Sequence, residues 1–343
     1  MEPADRPDEF VLVVDDEQGV RDLMTRWLSS GGYDVRIAAN ADQAMGLVRS
    51  SLPAVALCDV RMPGRDGLWL LERIREEAPE TAVIMATGVQ DVASAVRSLR
   101  QGVVDYLTKP FGRERLRDAV QRGFEWHRAA CDARRWRECL EREMDGRANR
   151  LAETVGALAI HGDAGLDTLL SALTAADGDV YAHAYRVAAL AAGTARVLGF
   201  SDADLADLEH AALLHDVGKL AIPDAVLRKP APLTFEEQAL VRRHPAVAAD
   251  LIGAVPYLRR SADLVRDAHE RMDGLGYPRG VPAGEVALGA RIIAVADAFD
   301  AMTHPRVFRD AIAPHEALLE LARCADSQFD PAVVEAFRTA VPV

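Results

Sequence analysis

The run EHAALLHDVGKL, residues 209–220, sets His215 and Asp216 side by side in an apolar helical pattern, with Lys219 one turn beyond. A carboxylate taken out of water costs several kcal/mol unless it is paired, so Asp216 calls for a cation. Imidazole and carboxylate donors together suit iron, manganese, zinc or a similar ion rather than Mg²⁺ or Ca²⁺. A carboxylate that bridges two such ions would build the paired-metal clamp used for phosphoester displacement. Further candidates are spread along the chain: His183 in YAHAYRVAALA, His244 before Pro245, His269 at the end of a helical run, and Asp297 in IIAVADAFDAM. The remaining histidines, His127, His161, His210, His304 and His315, read as ordinary satisfied side chains.

A second chemistry lies near the N-terminus. FVLVV runs into Asp15 and Asp16, AVALC into Asp59, AVIMA into Thr87, and YLT into Lys109. Three carboxylates at neighbouring strand ends repel one another unless a cation sits among them, and oxygen-only ligands favour Mg²⁺. A lysine and a hydroxyl beside them suit a phosphoryl group carried on one carboxylate.

These residues need elements to hold them. From Phe10 short apolar runs alternate with helix-length amphipathic segments, which predicts a parallel sheet with helices on both faces. Such sheets place their chemistry at the carboxyl ends of the strands. From about Gly165 the strand signals stop, and helical periodicity recurs over 167–176, 181–198, 202–216, 234–243, 246–254, 257–270, 285–303 and 314–325, an all-α bundle. Thr234 with Glu237 forms a capping box. Between the two regions lies a charged, proline-free stretch. Leu140, Met144, Arg147, Leu151, Thr154 and Leu158 alternate at spacings of four and three there. That seam suits either a short two-stranded coiled coil or a surface helix packed on its own chain.

Composition sets the outer limits. The chain has 343 residues and a net charge of -13, so two domains are expected, and neither a nucleic-acid polymer nor a membrane surface is an expected partner. No apolar run approaches the ~20 residues of a membrane span. The start, MEPADRPDEF, lacks the pattern of a signal peptide. Four cysteines without CxxC spacing indicate neither disulfides nor a thiolate zinc site. A cytoplasmic protein is the expectation.

VVDDE, DVRMPGRDG, ATG and YLTKPF resemble the receiver domain of two-component response regulators, over about residues 9–126. The resemblance implies a flavodoxin-like fold with a five-stranded parallel sheet, and phosphorylation of Asp59 by a sensor histidine kinase. It also implies Asp15 and Asp16 as the Mg²⁺ pocket, Thr87 and Lys109 as phosphate-sensing residues, and Tyr106 as the aromatic that switches on activation. Residues 127–165 are then a helical connector, with homodimerisation through it as one expectation.

From about residue 166 to the C-terminus the chain resembles the HD-GYP branch of the HD phosphohydrolases. HAYRV, LLHDVGKLAIPD, RRHP, AHERMDGLGYP, LGARIIAVADAFDAMT and FDP carry the likeness. It implies an all-α domain that hydrolyses cyclic di-GMP to the linear dinucleotide, and onward to GMP, with two divalent transition-metal ions such as iron or manganese. By resemblance the ligands are His183, His215, Asp216, His244, His269 and Asp297, with Asp179 for a third ion. Lys219 would lie beside the scissile phosphate, and Arg306 and Arg309 would grip phosphates. Gly274, Gly276, Tyr277 and Pro278 form the signature loop. One departure stands out: the family reads His-His-Glu where this chain reads Ala268-His269-Glu270, so one metal position lacks an imidazole. Met272 also replaces a usual tryptophan. The altered centre raises a second expectation, a regulator that binds cyclic di-GMP or a protein partner without turnover.

Overall fold

The computed structural model describes residues 9–88, 102–159, 178–305 and 310–341. Met1–Trp136 and Arg137–Val343 form two compact units. In the first, the apolar runs become five parallel strands: β1 (Phe10–Val14), β2 (Asp34–Ala38), β3 (Val55–Asp59), β4 (Ala82–Gly88) and β5 (Asp105–Lys109). Their order is β2-β1-β3-β4-β5, the flavodoxin-like arrangement. Both faces are covered, as a parallel sheet requires. Phe10, Leu12 and Val14 of β1 pack with Val48, Leu70 and Leu71, whereas Val11 and Val13 pack with Met24, Leu28, Leu116 and Val120. Among the described residues the covering helices are α1 (Gln18–Ser29), α2 (Ala41–Ser51), α3 (Gly67–Glu77) and the first part of α4 (Arg113–Ala159). Asn40 and Asp66 cap α2 and α3 by accepting the N–H groups of Gln43 and Trp69. Register aligns the chemistry: Asp59 pairs with Ala86, and Gly88 with Lys109, so the polar residues gather at one sheet edge.

Helix α4 runs unbroken for 47 residues, through Gly146. In the second unit its apolar stripe is used by its own chain. Leu140 and Met144 are buried with Ala221, Ile222, Val226 and Leu240, and Leu151 packs on the same cluster. Arg147 donates to the carbonyl of Ile222 at 3.2 Å. Of the two geometries the seam allows, the structure therefore adopts the helix packed on its own chain.

The second unit is helical among its described residues. It contains α5 (Gly178–Val197), α6 (Asp202–Leu214), α7 (Asp224–Leu227), α8 (Phe235–Val241), α9 (His244–Gly253), α10 (Arg259–Asp267), α11 (Leu288–Thr303), α12 (Pro314–Arg323) and α13 (Pro331–Ala340). A 3₁₀ turn, Val217–Ala221, follows α6. Alanines such as Ala191, Ala211, Ala248 and Ala296 line the core, letting helices approach closely around Leu251, Ile252, Ile293 and Phe337. The Thr234–Glu237 capping box forms as expected. The expected run 167–176 lies outside the described residues. Helix α13 was not among the expected runs, although its signals are present: Asp330 accepts from the Ala332 N–H, Pro331 opens the first turn, and Val333, Val334 and Phe337 are buried. No helix among the described residues is long and apolar enough to cross a membrane.

Candidate metal centre

Six of the sequence-derived residues converge in the second unit. His183 comes from α5, His215 and Asp216 from the end of α6, His244 from the start of α9, His269 from just beyond α10, and Asp297 from α11. His183, His215 and Asp297 each offer a ligand atom, all within 4.8 Å of one another, and Asp216, His244 and His269 form a second such group. Asp216 faces both. Its Oδ2 lies 3.9 Å from His183 Nε2 and 3.6 Å from His215 Nε2, while its Oδ1 lies 3.4 Å from His244 Nε2. Lys219, one turn on, donates to Oδ2 at 2.6 Å.

The outer nitrogens fix the inner ones. His215 Nδ1 lies 2.8 Å from the carbonyl of Ala212, and His244 Nδ1 2.8 Å from that of Val241. A carbonyl accepts only from N–H, so the proton stays on Nδ1 and the Nε2 lone pair points inward. The Nε2 atoms of His183 and His215 and the Oδ1 of Asp216 are buried and lack an aligned hydrogen bond. His183 Nε2 stands 3.2 Å from Asp297 Oδ1, but out of hydrogen-bond alignment. Buried polar atoms are ordinarily satisfied. Three orphans converging with this donor chemistry fit divalent metal ions. Electrostatics agrees. Burial opposes the charge on Asp216, yet Lys219, His215 and His244 hold its carboxyl well below the usual range. Asp297 is likewise depressed against its burial, chiefly by His183. Burial pushes His269 down to about 3, keeping it neutral.

Sequence reasoning missed Asp300. It is 1% exposed, receives His183 Nδ1 at 2.6 Å, and binds Arg186 through both oxygens at 2.6 and 2.9 Å. Against burial, His183 and Arg186 draw its carboxyl to about 2. Burial disfavours the His183 cation, but Asp297 and Asp300 lift that ring to about 9. The available signal was position: Asp300 follows Asp297 by three residues on α11, hence on the same face.

Two glycines permit the close approaches. A Cβ on Gly218 would lie 2.0 Å from the carbonyl oxygen of His244, so only glycine lets the Lys219 turn touch α9. A Cβ on Gly276 would lie 2.5 Å from the Glu270 Cα, where the signature loop folds back on its own start. Buried Glu270 organises that loop by accepting the N–H groups of Arg279, Gly280 and Val281. Asp267 holds Arg279 at 2.8 Å. Gly274 adopts φ 74°, and Tyr277, just before Pro278, stacks on His269 with ring centroids 5.0 Å apart at 8°. The loop thus braces a candidate ligand. A cleft of about 310 Å³ opens here, lined by Arg242, Ala268, His269, Tyr277, Asp297 and Gln328 among others. Ala268 is 2% exposed and borders the space an imidazole would enter. Met272 lies on the backbone pairing of the loop with the Gln328 segment. Asp179 falls on α5 one turn before His183. Arg306 and Arg309 lie outside the described residues.

The receiver-like unit has a smaller acidic site. Asp15, Asp16 and Asp59 offer ligand atoms within 4.8 Å of one another, with Asp15 and Asp59 buried and Asp16 exposed. Lys109 Nζ lies 2.7 Å from Asp15 and 3.2 Å from Asp59. Burial raises the Asp59 pKa; Lys109 opposes the shift, and Asp15 and Asp16 add to it. Thr87 is buried at the end of β4, and the Tyr106 hydroxyl oxygen is buried on β5.

Comparison with known proteins places both units. Residues 11–121 match the response regulator receiver domain family, and residues 168–333 match the HD domain family. A cyclic di-GMP phosphodiesterase of Thermotoga maritima is 30% identical over 336 residues, covering 95% of this chain and 89% of that protein. The cyclic di-GMP phosphodiesterase response regulator RpfG of Xanthomonas campestris pv. campestris is 30% identical, over 95% of this chain and 86% of its own. A 3'3'-cGAMP-specific phosphodiesterase 3 of Vibrio cholerae is 38% identical over 159 residues, 46% of this chain and 35% of that protein.

Proposed function

The chain belongs to the family of response regulators that join a receiver domain to an HD hydrolase domain, and on that premise we propose that it hydrolyses cyclic di-GMP under control of phosphorylation at Asp59. The observation that carries this reading is the pair of three-residue donor groups that Asp216 faces with its two oxygens, with Lys219 alongside and a cleft opening onto His269 and Asp297. Two full-length relatives named for cyclic di-GMP hydrolysis support the substrate.

Two divalent transition ions, iron or manganese, held by these groups would supply Lewis acidity and a water acidic enough to attack at neutral pH. The chain's own residues set the stage for that. Asp216 presents one oxygen to each donor group, and its buried charge is held by Lys219 and the imidazoles. Lys219, exposed enough to reach substrate, would bring a cation to the phosphate from which the 3′ oxygen departs. Tyr277 steadies His269, and Arg306 and Arg309 would grip phosphate oxygens bidentately. Asp179 is the candidate ligand for a third ion. The product is the linear dinucleotide, with GMP following if both bonds are cut.

In the receiver, Asp59 would accept the phosphoryl group from a sensor histidine kinase, with Mg²⁺ among Asp15, Asp16 and Asp59. Thr87 and Lys109 would bind the added oxygens, and Tyr106 would move in response. A homodimer through the connector would need a face of α4 other than the Leu140–Met144 stripe, which packs on its own chain.

The deciding assay supplies Mn²⁺, or Fe²⁺ without oxygen, and follows cyclic di-GMP by chromatography. Linear dinucleotide is the expected product. A protein that holds two metals, binds cyclic di-GMP and leaves it intact is a binding module instead. Faster cleavage of 3'3'-cGAMP would reassign the substrate.

A further inference from the structure

Arg242 closes α8 immediately before the segment that delivers His244. It is exposed, it lines the cleft with His269, Tyr277 and Asp297, and its guanidinium carbon lies 5.4 Å from the centre of the Tyr277 ring. The arginines around it are occupied. Arg243 pairs with Asp145, Arg271 with Asp273, and Arg279 with Asp267. Among the described residues, Arg242 has no carboxylate partner, although it stands at the edge of an acidic site. A guanidinium left free over an aromatic face at the mouth of a cleft keeps its donors for something that enters.

The entrant's charge follows from the reaction. A cyclic dinucleotide carries two phosphodiesters, and only one can lie beside Lys219 and the donor groups at a time. The other remains an anion somewhere along the cleft. We propose that Arg242 binds this second, uncleaved phosphodiester and so selects cyclic dinucleotides over substrates with a single phosphodiester. This inference rests on the cyclic dinucleotide reading above. The ring contact supports the role as well: Tyr277 lies 5.4 Å from the guanidinium carbon and stacks on His269, which sets Arg242 beside a candidate ligand. It is a reader of substrate length and leaves phosphorus chemistry to Lys219.

The test compares two substrates, cyclic di-GMP and bis(p-nitrophenyl) phosphate, in the full chain and its R242A and R242K variants. R242A should raise KM for cyclic di-GMP about ten- to hundredfold, the scale of a lost charge-assisted hydrogen bond. The loss with bis(p-nitrophenyl) phosphate should be at least about tenfold smaller, because that substrate has no second anion for Arg242 to hold. R242K should recover part of the KM, and bound metal should match the parent. A parallel loss with both substrates would make Arg242 a brace for Tyr277 and overturn the proposal. So would an unchanged KM for cyclic di-GMP. Failure of the parent chain to cleave cyclic di-GMP while it cleaves bis(p-nitrophenyl) phosphate would remove the cyclic dinucleotide reading itself, a result distinct from a silent variant.

Discussion

Among the described residues the molecule carries two acidic centres, and each has a lysine bonded to a carboxylate: Lys109 to Asp15 at 2.7 Å, and Lys219 to Asp216 at 2.6 Å. They differ in everything around that pair. The receiver centre is built only of oxygens, with Asp16 open to solvent, on the ends of strands. Such a site suits a hard, exchangeable ion and a carboxylate that must be reached by another protein's phosphoryl group. In the helical centre imidazoles surround a buried carboxylate, and carbonyls or Asp300 hold each Nδ1 of His183, His215 and His244. That arrangement suits resident borderline ions whose geometry must stay fixed through many turnovers.

The sharpest break between them is a pair of substitutions. Asp216→Asn removes the carboxylate that faces both donor groups, so turnover should fall to background and bound metal should drop, while phosphoryl transfer to the receiver persists. Asp59→Asn should do the reverse, abolishing labelling by a kinase or acetyl phosphate and leaving the metal of the helical centre in place. Radiolabelling and metal analysis of both variants check the pair. Labelling lost in Asp216→Asn would mean the centres are not separable.

Asp300 gives the next effect. Asp300→Asn keeps the shape but loosens the hold on His183 Nδ1, and metal affinity should fall about ten- to hundredfold, as for other outer partners of ligating histidines. Competition with a chelator measures it. In the receiver centre Lys109 and a backbone N–H hold the carboxylates among the described contacts, and Arg21 reaches only the backbone carbonyls of Asp15 and Asp16, so no single outer residue there should control ion affinity to that degree. An Asp300→Asn protein with unchanged metal affinity would show that carbonyl-held His215 and His244 suffice.

How far the sequence disclosed these centres depends on which signals are local. The receiver's strands and its acidic edge were legible because strand-end residues follow directly from apolar runs, whereas the flavodoxin-like order was implied by the resemblance. All six helical-centre residues could be singled out, His183, His244, His269 and Asp297 singly as histidines or acids in odd apolar company, and His215–Asp216 as a pair. Asp300 was passed over because its partner, His183, lies 117 residues away, and no spacing rule connects them. Glu270 escaped for a related reason: its partners are backbone N–H groups of Arg279, Gly280 and Val281, whose direction depends on how the loop turns. The connector's stripe illustrates the limit differently. A seam of Leu140, Met144 and Leu151 is the same pattern whether it meets a second chain or its own, and only the fold supplies Ala221, Ile222 and Leu240 as the neighbours. The helix Pro331–Ala340 was within reach, since its cap and first-turn proline are local signals.

Ala268 gives the smallest effect and tests the comparison most finely. In the helical centre His183, His215 and Asp297 form one group, while the group of Asp216, His244 and His269 adjoins Ala268, where the sequence resemblance implies a further imidazole. An open coordination position is what catalytic metals normally keep, so a missing protein ligand is compatible with turnover. It does weaken the hold on the ion. Ala268 borders the cleft beside His269, so a larger side chain has space to enter on that side. Ala268→His should therefore tighten the second ion, leave the first unchanged, and leave the melting profile of the metal-free chain close to that of the parent. In the parent, mild chelation should strip the two ions in separate steps. Titration of metal content per chain, run beside turnover, reads both quantities. If the parent retains its second ion as firmly as the histidine variant, residue 268 is outside the coordination of that ion, and the helical centre is complete with six protein ligands.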